Sequence, residues 1–179
     1  MTDERIRMMN KTARSNGAVG QNAIIPRYIV NHPWMHNMRM LDFGSGKFAL
    51  HTKMLREIHG FNVDPYDMGD NFVDGFHHKM DEFTKESFNL VFASNVINVQ
   101  PDEECLMKTL IGMAYFLHPN GVCIFNFPSS PRKMEGLDKK KLMEYVLRIF
   151  KSCLVENYDG NTIFTCMKYG QEDLEDVEI

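Results

Sequence analysis

Apolar and polar positions divide this chain into short apolar runs and longer stripes at helical spacing. Residues 38–43 are an apolar run interrupted by Arg39 and Asp42. A Gly44-Ser45-Gly46 turn follows, and then Ala49, Leu50, Met54, Leu55 and Ile58 recur at helical spacing. The pattern predicts a buried strand, a glycine turn and an amphipathic helix. Residues 60–63 predict a second strand closing on Asp64-Pro65-Tyr66-Asp67, residues 77–80 a short third, and residues 88–93 a fourth, rich in the residue types that suit sheets. Residues 101–117 read as a helix with acids in its first turn, where the helix dipole favours them, and a stripe of Leu106, Leu110, Met113 and Leu117. His118-Pro119-Asn120-Gly121 ends that helix and turns the chain into a fifth strand over 121–127. A helix striped by Leu142, Val146 and Phe150 leads to two last strands, 153–158 and 162–169. Asp159-Gly160-Asn161 lies between them as a hairpin signal. Upstream, residues 21–30 suggest a helix packed on the domain and broken before His32-Pro33, and a short helix fits residues 3–13.

Strands alternating with helices call for an α/β fold. The expectation is a three-layer α/β/α sandwich whose mostly parallel seven-stranded sheet is closed by a C-terminal antiparallel hairpin. A length of 179 residues suits one domain with a single core. Within it we expect an N-terminal helical cover over residues 1–37, the domain proper over 38–169, and an acidic tail over 170–179.

Composition narrows the function classes. No apolar run approaches the roughly 20 residues that span a bilayer, and the N-terminus lacks a signal-peptide core, so a soluble cytoplasmic protein is expected. The four cysteines have no C-x-x-C spacing and make no Cys/His pattern with the seven histidines. They read as reduced core thiols, and no metal site is expected. The net charge of −4 is unevenly spread. Residues 132–151 hold seven bases against three acids, and residues 1–37 hold five against two, whereas the last nine carry five acids and no base. Lys139, Lys140 and Lys141 read either as a solvated helix start or as a phosphate-contacting patch.

The glycine turn carries the chemistry. Gly44 and Gly46 can adopt backbone angles closed to other residues and let a ligand approach the main chain. Unpaired N–H groups at the start of the following helix favour an anionic group, and Asp42 can receive a cationic one. A nucleotide-like ligand suits such a turn. The dinucleotide fingerprint G-x-G-x-x-G is not met, because Phe48 and its neighbours supply no third glycine and an acid precedes the loop.

Asp-x-Gly-x-Gly at the end of a first strand resembles motif I of the class I S-adenosylmethionine-dependent methyltransferases. The family's third glycine is Phe48 here, which is expected to crowd the helix start. Ser87-Phe88-Asn89-Leu90-Val91 resembles the family's motif IV strand, and Leu117-His118-Pro119-Asn120-Gly121 its element before the fifth strand. Asn95-Val96-Ile97-Asn98-Val99 is also similar, over those five residues alone, to methyltransferases associated with DNA phosphorothioation. The family resemblance implies S-adenosylmethionine as cofactor, bound by Asp42, Gly44, Ser45 and Gly46. It makes Asp64 the ribose-binding acid, Pro65 and Tyr66 neighbours of the adenine, and Asp81 a partner of the adenine amino group. It further implies that the N-terminal helix over 21–30 covers the cofactor. Solvated turns are the plainer reading of Asp64-Pro65 and of Asp81. Ser94 and Asn95 leave the fourth strand at the carboxyl edge of the sheet, where open α/β sheets place their chemistry, so they are candidates for contacting the cofactor and orienting the acceptor.

What the chain lacks is also informative. It has no D/N/S-P-P-Y/F clamp for a base amine and no Pro-Cys loop for cytosine attack. The acceptor is left open among small molecules, proteins and nucleic acids. A non-catalytic cofactor- or partner-binding protein on the same fold is the alternative.

Overall fold

The computed structural model describes residues 3–15, 23–128 and 134–168. Its sheet has six strands: β1 (Met40–Phe43), β2 (Val63–Tyr66), β3 (Phe88–Ala93), β4 (Leu117–Phe127), β5 (Phe150–Tyr158) and β6 (Asn161–Lys168). They lie in the order β2-β1-β3-β4-β6-β5, with the first four parallel and β6 antiparallel to both β4 and β5. Five helices accompany them: α1 (Asp3–Ser15), α2 (Ile24–Val30), α3 (Leu50–Glu57), α4 (Glu103–Phe116) and α5 (Lys139–Val146).

Successive strand residues point to opposite faces, and β1 shows the result. Leu41 and Phe43 enter a cluster with Leu106, Leu110 and Met113 of α4 and with Leu142 and Val146 of α5. Met40 enters another with Ile25 and Ile29 of α2, Leu55 of α3, and Val63, Phe92 and Ile163. All four residues of β1 are buried, so the glycine turn leaves the sheet from a strand packed on both sides.

Several expected boundaries shift. The sheet has six strands, not seven, because residues 77–80 form no strand. A single parallel bridge joins Tyr66 of β2 to His78. His77 is turned inward instead and is only 4% exposed. The second strand begins where it was expected to end. Carbonyls of Asn62 and Tyr66 bond to β1, so Pro65, between them in the alternation, presents its missing N–H to the outer edge, where a strand tolerates proline. The expected turn at residues 118–121 is an excursion inside β4, whose register on β3 jumps from Phe88–Leu117 to Leu90–Val122. A Cβ on Gly121 would meet the Asn89 carbonyl at 2.9 Å, which explains the glycine in that tight loop. Phe150, expected in a helix, opens β5.

The expectation of four reduced thiols is also corrected. Cys153 and Cys166 form a disulfide across the β5–β6 hairpin, while Cys105 and Cys123 are free and buried. Folding the chain about Asp159-Gly160 pairs Tyr158 with Asn161 and, five residues further along each strand, Cys153 with Cys166.

At the far end of that hairpin, Lys168 is 4% exposed and donates to the Glu86 carboxylate at 2.9 Å and to the Leu117 carbonyl at 2.8 Å. A lysine so deeply placed is tolerated because its ammonium is both paired and hydrogen-bonded. No helix among the described residues is long and apolar enough to cross a membrane. The acidic tail, Arg132 and Lys133 lie outside the described residues.

Candidate functional site

β1, β2, β3 and β4 run parallel and end on the same side of the sheet, and the loops leaving them meet there. Gly44 and Gly46 have φ of +84° and +76°, left-handed values that side chains oppose. The N–H groups of Gly44 and Ser45 donate to the Tyr66 carbonyl at 2.9 and 3.0 Å, and the buried Ser45 hydroxyl donates to the same oxygen at 3.3 Å. A Cβ on Gly44 would lie 2.5 Å from Cγ2 of Val96, so the turn is pressed against the loop after β3. A Cβ on Gly46 would meet nothing within 4 Å. One glycine is therefore required by packing, and the other faces open space.

Phe48 does not crowd the helix start. It is 67% exposed, and α3 begins two residues later, after Ala49 takes a left-handed φ of 39°. The side chain that stands in place of a third glycine projects outward.

Asp42 is fully buried under α3. Its Oδ2 accepts from the Thr52 hydroxyl at 2.7 Å, and its Oδ1 has no hydrogen-bond partner among the described residues. Burial pushes its pKa up, against the opposing pull of His51 and of the Thr52 bond. Such an orphaned acceptor is uncommon in a protein interior and marks a place for a donor.

Asp64 was expected to end the second strand as its ribose-binding acid, but it does not stand at that strand's end. Asp64 lies inside β2, level with Leu41, and its carboxylate faces Arg39 at 3.3 Å and Arg56 at 3.1 Å. The acid that leaves the end of β2 is Asp67. It is 7% exposed; its Oδ2 accepts the Gly46 N–H at 2.6 Å and its Oδ1 the Met68 N–H at 2.7 Å. Burial raises its pKa, and these two N–H bonds oppose the rise. Pro65 is buried within β2. The Tyr66 ring packs 4.8 Å from Phe43 in the core, where burial pushes its phenol up to about 12. Only the Tyr66 carbonyl reaches the glycine turn. Asp81 sits exposed on a 3-10 turn, Met80–Glu82, and no contact described here ties it to that turn.

Ser94 and Asn95 leave β3 beside the turn. Ser94 is 7% exposed, with its hydroxyl unpartnered among the described residues. Asn95 has a left-handed φ of 59°; its N–H donates to Oδ1 of Asn126 at 2.7 Å, and Asn126 returns a bond from Nδ2 to Oδ1 of Asn95 at 2.8 Å. This reciprocal amide pair locks the exits of β3 and β4 together. Among the described residues those exits carry Ser94, Asn95, Asn98, Gln100 and Asn126, all polar and uncharged.

α2 is part of the core cluster with Leu55 and Ile163. α1, not α2, packs over the segments that leave β2 and β3. Its Asn10 donates to the Met68 carbonyl at 3.0 Å and accepts from Asn71 at 3.1 Å, and Arg5 pairs with Asp102 at 3.3 Å and Glu104 at 2.6 Å. Among the described residues no three His, Cys, Asp or Glu side chains gather to hold a metal ion. Lys139 to Lys141 open α5 behind the Asp138 cap, exposed or half-exposed.

Sequence reasoning missed Asp67, His77, Asn126 and the role of α1. The second acid of Asp-Pro-Tyr-Asp was legible as an alternative to the first, but nothing in the sequence singles out the other three.

No family model matches the sequence, and no curated protein matches it at a significant level. Solved structures do match. Burkholderia thailandensis 1,6-didemethyltoxoflavin-N1-methyltransferase superposes with a TM-score of 0.62 at 13% identity over 94% of this chain and 87% of that one. A TehB-like methyltransferase from Corynebacterium glutamicum gives 0.55 at 15% over 90% and 94%. The CurJ carbon methyltransferase gives 0.56 at 12% over 82% of this chain and 52% of that one, so this chain spans about half of its length. The fold is that of the class I S-adenosylmethionine-dependent methyltransferases.

Proposed function

We propose that this protein binds S-adenosylmethionine and transfers its methyl group to an acceptor by direct displacement. The observation that carries the reading is the pairing of an open glycine cradle at Gly46 with the orphaned buried carboxylate oxygen of Asp42. A ligand carrying an ammonium group and a nucleoside has a use for both. Bound there, the cofactor supplies a sulfonium methyl group electrophilic enough to react without metal or redox help.

The remaining tasks fall to the chain. Asp42 offers an acceptor to the amino-acid ammonium. Asp67 follows β2 about one β-α-β unit after the glycine turn, the position from which an acid accepts ribose hydroxyls, and its oxygens keep lone pairs beyond the bonds from Gly46, Met68 and Asn71. Asn95 and Asn126 fix the exits of β3 and β4, so the acceptor meets a preorganised wall; holding two reactants in line is the main source of acceleration for such a displacement. The neutral polar groups at these exits suit an acceptor that arrives already nucleophilic.

Calorimetry with S-adenosylhomocysteine tests the reading. Binding tighter than about 1 mM, weakened by Asp67→Ala, is expected. No binding at that concentration would overturn it. Transfer of labelled methyl from S-adenosylmethionine to fractionated small-molecule, protein and nucleic-acid pools then identifies the acceptor class, and binding without transfer to any pool would favour the non-catalytic alternative.

A further inference from the structure

His77 is nearly fully buried, at 4% exposure, and makes two hydrogen bonds that together define its state. Its Nδ1 lies 3.0 Å from the backbone nitrogen of Val73, which can only donate. Its Nε2 lies 3.0 Å from the Gly46 carbonyl, which can only accept. Nδ1 must therefore be the acceptor and Nε2 the donor, which is the neutral imidazole with its hydrogen on Nε2. Gly46 is thus held from both sides: Asp67 accepts its N–H, and its carbonyl accepts from His77 Nε2 as well as from the Ala49 N–H at 3.0 Å. The grip matters because the Gly46 peptide sits at a left-handed φ and a Cβ there would meet no atom within 4 Å.

Resting on the methyltransferase reading above, we propose that His77 is a positioning residue, fixing the Gly46 peptide in its ligand-ready orientation as a neutral Nε2–H imidazole. It touches neither substrate nor the reacting atoms and acts through the turn. The Val73 N–H requires Nδ1 as an acceptor, and the Gly46 carbonyl requires the hydrogen on Nε2. The carboxylates nearest this part of the turn are Asp42 on β1 and Asp67 after β2. Lys53 of α3 stands 4.8 Å over the neighbouring Phe76 ring.

The test compares His77→Ala, His77→Asn and His77→Gln. Glutamine reaches the position of Nε2 and keeps a donor for Gly46, whereas asparagine keeps only the shorter reach. S-adenosylhomocysteine affinity should fall about tenfold in the alanine and asparagine variants and recover to within about threefold in the glutamine variant, as one lost hydrogen bond predicts. Unchanged affinity in His77→Ala, or a loss that tracks melting temperature without rescue by glutamine, would overturn the proposal.

Two readouts need no cofactor. Imidazole nitrogen NMR should report hydrogen on Nε2, and the Gly46 amide should exchange faster in His77→Ala while the Leu90 amide does not. The opposite tautomer or unaltered Gly46 exchange would overturn the proposal. A wild type that binds no S-adenosylhomocysteine defeats the methyltransferase reading but leaves these two measurements to decide the role of His77.

Discussion

Oδ2 of Asp67 accepts the backbone N–H of Gly46 at 2.6 Å, joining the end of β2 to the turn that follows β1. Two loops distant in sequence are held as one surface by this bond, and the acid that makes it is three residues beyond the one that sequence spacing selects. Replacing each acid in turn should separate their roles. Asp64→Ala removes exposed ion pairs to Arg39 and Arg56 and should cost no more than about 1 kcal/mol of stability with cofactor binding intact. Asp67→Ala should weaken S-adenosylhomocysteine binding by about 1.5–3 kcal/mol, the range for bonds to a charged group. Calorimetry on both variants checks this, and the reverse ranking would restore Asp64.

The two glycines of the turn should fail differently. Gly44→Ala sets a methyl 2.5 Å from Val96 and should destabilise the fold by about 1–3 kcal/mol, part of which Val96→Ala should restore by clearing the space. Gly46→Ala meets no neighbour, so it should cost only about 1–2 kcal/mol of backbone strain while losing most of the ligand affinity. Chemical denaturation and calorimetry on the single and double variants separate the two outcomes.

Asp42 should trade stability for binding. Its folded pKa lies above the unfolded value, so this carboxyl favours the folded state at acid pH, and that contribution is lost as pH rises through the folded value. Asp42→Asn removes the buried charge and should raise the melting temperature at about pH 8, with the gain shrinking toward about pH 4. The same variant should bind S-adenosylhomocysteine more weakly. Thermal melts across that range, with and without ligand, measure both effects.

The hairpin disulfide gives a fourth expectation. Cys153 and Cys166 are separated by 13 positions, and closing a loop of that size is worth about 3 kcal/mol in the chain-entropy account. Reduction should lower the melting temperature, and Cys153→Ser should abolish that sensitivity. Thiol counting should find Cys105 and Cys123 reactive only after unfolding, because both are buried.

Much of the fold is legible in the residues, because strands and helices impose periods that side chains display. The run into Gly44, the stripe of α3, the apolar β3 and the Asp159-Gly160 hairpin all lie where the pattern puts them. The pattern misleads where one residue type serves two purposes. Proline marks turns, yet Pro65 sits in β2 because its missing N–H faces the open edge. An apolar stripe announces that a helix is buried but not against what: α2 joins the core beside α3, while the more polar α1, held by Asn10 and Arg5, lies over the loops after β2 and β3. The glycine turn itself was readable, since positive φ restricts the choice of residue. Its supports were not: Asp67, His77 and Asn126 act through single contacts across the sheet, and such contacts leave no period in the chain.

The buried lysine at the end of β6 has a practical consequence for handling the protein. Lys168 is fastened beside Leu117, where β4 begins, and this is the edge of the sheet opposite the glycine turn. A tag or surface tether attached beyond β6 starts from the far side of the molecule and leaves the turn facing solution. One attached before Asp3 starts from α1, the element laid over the loops. A handle for ligand screening or immobilised capture should therefore be joined after β6, and a loss of binding seen only with fusions before α1 would trace to displacement of that helix.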